Sequence, residues 1–66
     1  MDITVNNTTR TIAANSTIAE LLQQMQLDIS RIAIEHNGNI LSREQVAATV
    51  LHEGDKLEIV SFVGGG

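Results

Sequence analysis

Asn15-Ser16-Thr17-Ile18-Ala19-Glu20-Leu21-Leu22-Gln23-Gln24-Met25-Gln26-Leu27-Asp28 holds the strongest helical signal in this chain of 66 residues. Ile18, Leu21, Leu22 and Met25 recur at i, i+3, i+4 and i+7, which sets four apolar side chains on one stripe and leaves Gln23, Gln24 and Gln26 away from it. Thr17 and Glu20 stand three residues apart at the head of the stripe. At that spacing the threonine oxygen and the glutamate carboxylate each satisfy an orphan amide of a helix start. The helix is expected to begin after Thr17 and to end at Leu27-Asp28. One amphipathic helix has one face to cover, so the rest of the chain must supply a surface for it.

The flanking segments read as strands. Asp2-Ile3-Thr4-Val5 alternates, with Ile3 and Val5 on one face. Asn6-Asn7 is a turn pair, because asparagine tolerates positive φ better than most residues. Thr8 to Ala13 then resumes β-branched character and completes a hairpin with a threonine-rich solvent face. After the helix, Arg31 to His36 forms a strand with Ile32 and Ile34 inward. Asn37-Gly38 is the strongest short hairpin signal, since a type I′ turn needs positive φ at both central residues, and Asn39-Ile40-Leu41 returns from it. Ser42 and Gln45 repeat the capping spacing and open a short helix or 3₁₀ turn over about Arg43 to Ala48, with Val46, Val50 and Leu51 as a weak stripe. Glu53-Gly54-Asp55 reads as a turn. Lys56 to Phe62 is the last strand, with Leu57 and Ile59 inward and Lys56, Glu58, Val60 and Phe62 outward.

The order is thus β-β-α-β-β-short helix-β. One long helix and several strands bury their apolar faces together only if the helix crosses one face of a mixed sheet. The first and last strands share that burial when they lie side by side, parallel and central. This is the α+β arrangement called the β-grasp, or ubiquitin-like, fold: a mixed sheet of four to five strands against one main helix plus a short helix or 3₁₀ turn. Residues 1–63 form a single domain, and 64–66 are expected to be a flexible glycine tail.

Composition narrows the function classes. There is no cysteine, hence no disulfide, no thiolate nucleophile and no cysteine-ligated metal. Four basic residues against eight acidic ones give a net charge of −4, and Phe62 is the only aromatic residue. Both facts argue against nucleic acid, which calls for phosphate-neutralising cations and stacking rings. They favour protein partners with basic surfaces. No apolar run approaches the roughly 20 residues that span a bilayer, and no signal-peptide pattern follows Met1, so the expectation is a cytoplasmic protein without membrane contact.

The catalytic inventory is thin. His36 and His52 lie on different elements and read as surface or rim residues, with no metal site at ligand spacing. The carboxylates are scattered, and neither G-x-S-x-G nor a phosphate-binding glycine loop is present. No catalytic residue is assigned. What remains is surface and tail. Val60 and Phe62 form a candidate docking patch, with Arg10 and Arg43 as possible flanks; the alternative is that Phe62 folds over the sheet edge and covers core. Gly64, Gly65 and Gly66 have no Cβ and can thread a passage too narrow for other residues. They deliver a carboxylate with no side chain beside it. A frayed end or linker stub is the competing account of the same glycines.

Several pieces together resemble a known family: Thr17-Ile-Ala-Glu-Leu-Leu22, Ile32-Ala-Ile-Glu35 leading to Asn37-Gly38, Glu53-Gly-Asp-Lys-Leu-Glu-Ile-Val60, and Val63-Gly-Gly-Gly66. The chain is similar to the ThiS family, the small sulfur-carrier proteins of thiamin (thiazole) biosynthesis. Ser42 stands where the family often has proline, and His36 where an aliphatic residue is more usual. The resemblance implies that the Gly66 carboxylate is adenylated by an adenylyltransferase resembling ubiquitin-activating enzymes, which uses ATP and Mg²⁺. It further implies sulfur from a cysteine desulfurase or sulfurtransferase, a Gly66 thiocarboxylate, and delivery to thiazole synthase, with Gly64 and Gly65 threading the partner's active site. The carrier itself would be no enzyme. Rival readings are a small-subunit-like carrier for molybdopterin synthesis, a non-covalent β-grasp interaction module, and a ubiquitin-like protein modifier.

Overall fold

Both capping pairs close as their spacing requires. In the computed structural model, which describes residues 1–62, Glu20 N–H donates to Thr17 Oγ1 at 3.1 Å and Thr17 N–H donates to Glu20 Oε1 at 2.9 Å. Gln45 N–H donates to Ser42 Oγ at 3.2 Å while Ser42 N–H donates to Gln45 Oε1 at 2.7 Å. The first pair opens helix α1, Ile18–Gln24, and the second opens helix α2, Arg43–Ala48. Val63 and the expected tail, 64–66, lie outside the described residues.

Helix α1 ends earlier than its apolar stripe suggests. Gln26 adopts φ 59°, and its N–H donates to the Gln23 carbonyl at 3.1 Å, while Leu27 N–H donates to the Leu22 carbonyl at 2.9 Å. These are the two bonds of a Schellman closure, with glutamine in the left-handed position that glycine usually takes. Leu27 therefore packs on the core from outside the helix. Asp28 then caps a 3₁₀ turn, Ile29–Arg31, so that Arg31, expected in the next strand, precedes it. Val50 and Leu51 also fall outside α2. Leu51 is buried all the same, because Leu51 N–H bonds the Ser16 carbonyl at 2.8 Å and Ile18 N–H bonds the Thr49 carbonyl at 3.1 Å, lashing this segment to the start of α1.

The strands are β1 Asp2–Val5, β2 Thr8–Thr11, β3 Ile32–His36, β4 Asn39–Ile40 and β5 Lys56–Ser61, in sheet order β2-β1-β5-β3-β4. β1 and β5 run parallel at the centre, and the other pairs are antiparallel. Strand β2 stops at Thr11, two residues short of expectation, although Ile12 N–H still bonds the Met1 carbonyl at 2.8 Å and its side chain is buried. The turns hold their expected geometry: Asn6 and Asn7 have φ 50° and 67°, and Asn37 and Gly38 have 48° and 90°. Ile3, Val5, Ile34 and Leu57 of the sheet meet Ile18, Leu21 and Leu22 of α1 and Val46 of α2 in one core. This is the β-grasp, with the helices on one face and the other face open. No helix among the described residues is long and apolar enough to cross a membrane.

Candidate functional site

The site is built at the far end of the central strand. β1 pairs with β5 only over Thr4–Lys56 and Val5–Leu57 before turning away at Asn6. Asn6 prolongs the pairing: its N–H donates to the Leu57 carbonyl at 2.9 Å, its Nδ2 donates to the Ile59 carbonyl at 3.1 Å, and its Oδ1 accepts from Ile59 N–H at 2.7 Å. On the other side, β3 stays in register with β5 from His36–Leu57 to Ile32–Ser61, and Phe62 N–H donates to the Arg31 carbonyl at 3.2 Å. The backbone is thus tied down on both sides to Ile59 and on one side to Phe62, immediately ahead of residues 63–66.

The alternation of the strand then sorts its side chains. Leu57 is fully buried and Ile59 packs against the core, while Val60 and Phe62 are 60% and 63% exposed. The pairing register sets Ala33 beside Val60 on the open face, Glu35 beside Glu58, and Ile40 beside Glu35. Ile40 is 76% exposed. The open face therefore combines aliphatic groups with carboxylates. Lys56 Nζ lies 4.0 Å from Glu58 Oε1 and is the single cation that β5 contributes. Ile40 was not singled out from sequence, although the two-residue Asn37-Gly38 turn fixes it opposite Glu35 and so on the open face.

Phe62 departs from strict alternation. The strand ends at Ser61, and Phe62 forms part of the wall of a cavity that also takes in Ile32, Ile34 and Val46, residues of the helix-covered side. It is neither a plain member of the open face nor a cover for the core, but a rim residue between the two. Arg43 reaches that same cavity. Arg10 does not join it: it pairs with Ile3 in β2, at the edge of the sheet beyond β1.

His36, His52 and Asp55 come together at the opposite end of β5. The Asp55 carboxylate is nearly buried and lies 2.9 Å from His36 Nε2; it also accepts from His52 N–H at 2.9 Å and Asn37 Nδ2 at 3.2 Å. Burial pushes this carboxyl up, but the hydrogen bonds from His36, His52 N–H and Asn37, with the proximity of His36, outweigh it and hold the group below the usual carboxylate range. Asp55, read from sequence as turn chemistry, is thus the hub that fastens the β3–β4 turn to the start of β5. His36 is half-buried as its partner, and His52 contributes its backbone. No cluster of three or more His, Cys, Asp or Glu able to hold a metal occurs among the described residues.

Comparison with known proteins places this geometry. The sequence profile described as the ThiS family matches residues 3–66. The chain belongs to the ThiS family. It is 32% identical to the sulfur carrier protein ThiS of Escherichia coli, with both chains covered in full. The crystal structure of the thiamine biosynthesis protein ThiS from Geobacter metallireducens superposes with a TM-score of 0.84 at 35% identity, again over the whole of both chains. A thiazole synthase of Paramagnetospirillum magneticum is 36% identical over all 66 residues, and one of Magnetococcus marinus is 35% identical over the same span. In each of these two relatives the chain spans only 20% of the length. The fold and the ThiS resemblance read from the sequence are both upheld.

Proposed function

We propose that this chain is a sulfur carrier of thiamin biosynthesis, with Gly66 as the residue that carries the sulfur. The observation that carries the reading is the ThiS match, which runs from residue 3 through all three glycines to residue 66. The fold supports it, because β5 and the following Phe62 are tied to their neighbours, which holds the described chain in place as far as residue 62.

The chemistry follows from the weakness of a carboxylate as an electrophile. An oxygen of the Gly66 carboxylate attacks the α-phosphorus of ATP, held with Mg²⁺ by a partner adenylyltransferase, and pyrophosphate leaves. Hydrosulfide then attacks the acyl carbon of the adenylate, AMP leaves, one proton is lost, and a thiocarboxylate remains. Where the sulfur comes instead as a protein persulfide, its outer sulfur makes the same attack, and a thiol must then cleave the S–S bond to free the thiocarboxylate. A cysteine desulfurase or sulfurtransferase is the source of that persulfide. Acid, base and metal belong to the partners, and the carrier brings the reacting group. Gly64 and Gly65 give it a slim approach.

Thiazole synthase is the acceptor in this reading, and the two thiazole synthases with a region matching the full chain support it. Val60 and Phe62 are the docking anchors, since exposed apolar side chains beside a reacting terminus suit a partner pocket. The cytoplasm, where ATP is at hand, is the compartment this reading assigns.

The deciding experiment incubates the chain with its activating enzyme, ATP, Mg²⁺ and sulfide and reads the intact mass. The expected result is replacement of one oxygen by sulfur at Gly66, abolished when one alanine is added after Gly66. An unchanged mass, with an enzyme shown to be active on another carrier, would overturn the proposal.

A further inference from the structure

Arg43 lines two adjoining cavities on the helix-covered side of the molecule. One, of about 220 Å³, is bounded by Ile29, Leu41, Val46 and Phe62 over a floor of Ile32 and Ile34. The other, of about 370 Å³, continues from Ile29 and Val46 to Leu22, Leu27 and Ala47. They share Ile29, Arg43 and Val46 and together form one trough, mostly aliphatic with Ser30 and Gln23 on its walls, and Arg43 is the only charged side chain lining it among the described residues.

That cation has no partner at contact distance, although the Asp28 carboxyl feels its charge. Of the four basic residues, Arg31 pairs with Asp28 and Lys56 with Glu58, whereas Arg10 and Arg43 make no ion pair among the described residues, and of these two only Arg43 lines the trough. Asp28 is already occupied, accepting from Ser30 N–H at 2.9 Å and from its hydroxyl at 2.8 Å. A guanidinium without a contact partner beside mostly aliphatic walls suits a carboxylate that arrives with apolar neighbours. The open face of the sheet asks for the reverse, since Val60 and Ile40 sit there with Glu35 and Glu58. The two faces thus select partners of opposite charge.

We propose that the trough is a second docking surface, and that it receives a segment of thiazole synthase composed of aliphatic side chains and a carboxylate that pairs with Arg43. The proposal rests on the reading of the chain as a carrier serving that synthase. Two thiazole synthases contain a region matching the whole of this chain, so the domain is one that occurs joined to such a body. Phe62, the last described residue and one of the proposed docking anchors, lines the trough, so the two surfaces are continuous.

The test titrates thiazole synthase from the same organism against the full methyl-labelled chain. Arg43→Glu should weaken binding by about tenfold, because it turns a desolvated attraction into a repulsion. Arg10→Glu changes the net charge equally, at an exposed position on β2 with β1 and β5 between it and the β3 floor, and should leave the affinity in place. Arg43→Glu should still acquire the thiocarboxylate from the activating enzyme, a readout that separates this proposal from the carrier reading itself. Methyl signals of Leu27, Ile29 and Val46 should move when the synthase binds. Equal losses for the two charge reversals, or shifts confined to Ala33, Ile40 and Val60, would overturn the proposal. So would trough shifts that grow with the concentration of the chain alone, which would give the surface to a second copy.

Discussion

Asn6 binds Ile59 as if its side chain were one more strand residue. The amide offers both a donor and an acceptor, and it meets both backbone groups of Ile59, at 3.1 and 2.7 Å, across 53 positions of sequence. This extends the central parallel pair by one step after β1 has already turned, and it steadies the stretch from which Val60 and Phe62 project.

Replacing Asn6 by alanine removes two hydrogen bonds and puts a less tolerant residue at φ 50°. A loss of about 1–3 kcal/mol is expected in urea denaturation. Asn6→Gly relieves the backbone but not the missing amide, and should fall between wild type and alanine. A glycine variant as stable as wild type would show that the turn, and not the bridge to Ile59, sets the cost.

Asp55 should make the fold acid-labile. Its carboxyl is held below the usual range in the folded chain, so the unfolded chain takes up the proton first as pH falls. The stabilisation is present in full above the unfolded value of about 3.9 and drains away as pH drops through the lower folded value. Asp55→Asn is expected to cost about 1–3 kcal/mol at pH 7, with the gap to wild type narrowing below about pH 4. Denaturation midpoints measured from pH 7 to strong acid check the sign; a gap that widens in acid would contradict it.

Leu57 and Val60 are three positions apart on one strand and should behave oppositely. Leu57 is fully buried, and Leu57→Ala should cost about 2–5 kcal/mol. Against a total of about 3–10 kcal/mol for a chain of this size, that leaves a visible unfolded population in thermal melts. Val60 is 60% exposed, and Val60→Ala should stay within about 0.5 kcal/mol of wild type.

Phe62→Ala should separate binding from stability. At 63% exposure the ring adds little to folding, and the melting temperature should hold. Affinity for a partner enzyme should fall by about 2 kcal/mol if Phe62 is an anchor. Calorimetric titration measures it, and an unchanged affinity would remove Phe62 from the interface.

Features settled within a few residues were legible in the chain. Thr17 with Glu20 and Ser42 with Gln45 marked two helix starts, because each pair closes its own ring of hydrogen bonds. Asn6-Asn7 and Asn37-Gly38 marked turns through the φ values those residues tolerate, and alternation sorted Leu57 from Val60. The same logic misjudged the end of α1, where the apolar stripe runs on into Met25 and Leu27 while Gln26 has already left the helix. Long-range juxtaposition was decided by the tertiary structure alone. Nothing near Asn6 announces Ile59, nothing near Asp55 announces His36, and nothing near Arg43 announces Phe62. Those meetings exist because burying the aliphatic faces of β1, β5 and α1 together fixes which backbones lie side by side, and polar groups far apart in the chain then find partners across the seams.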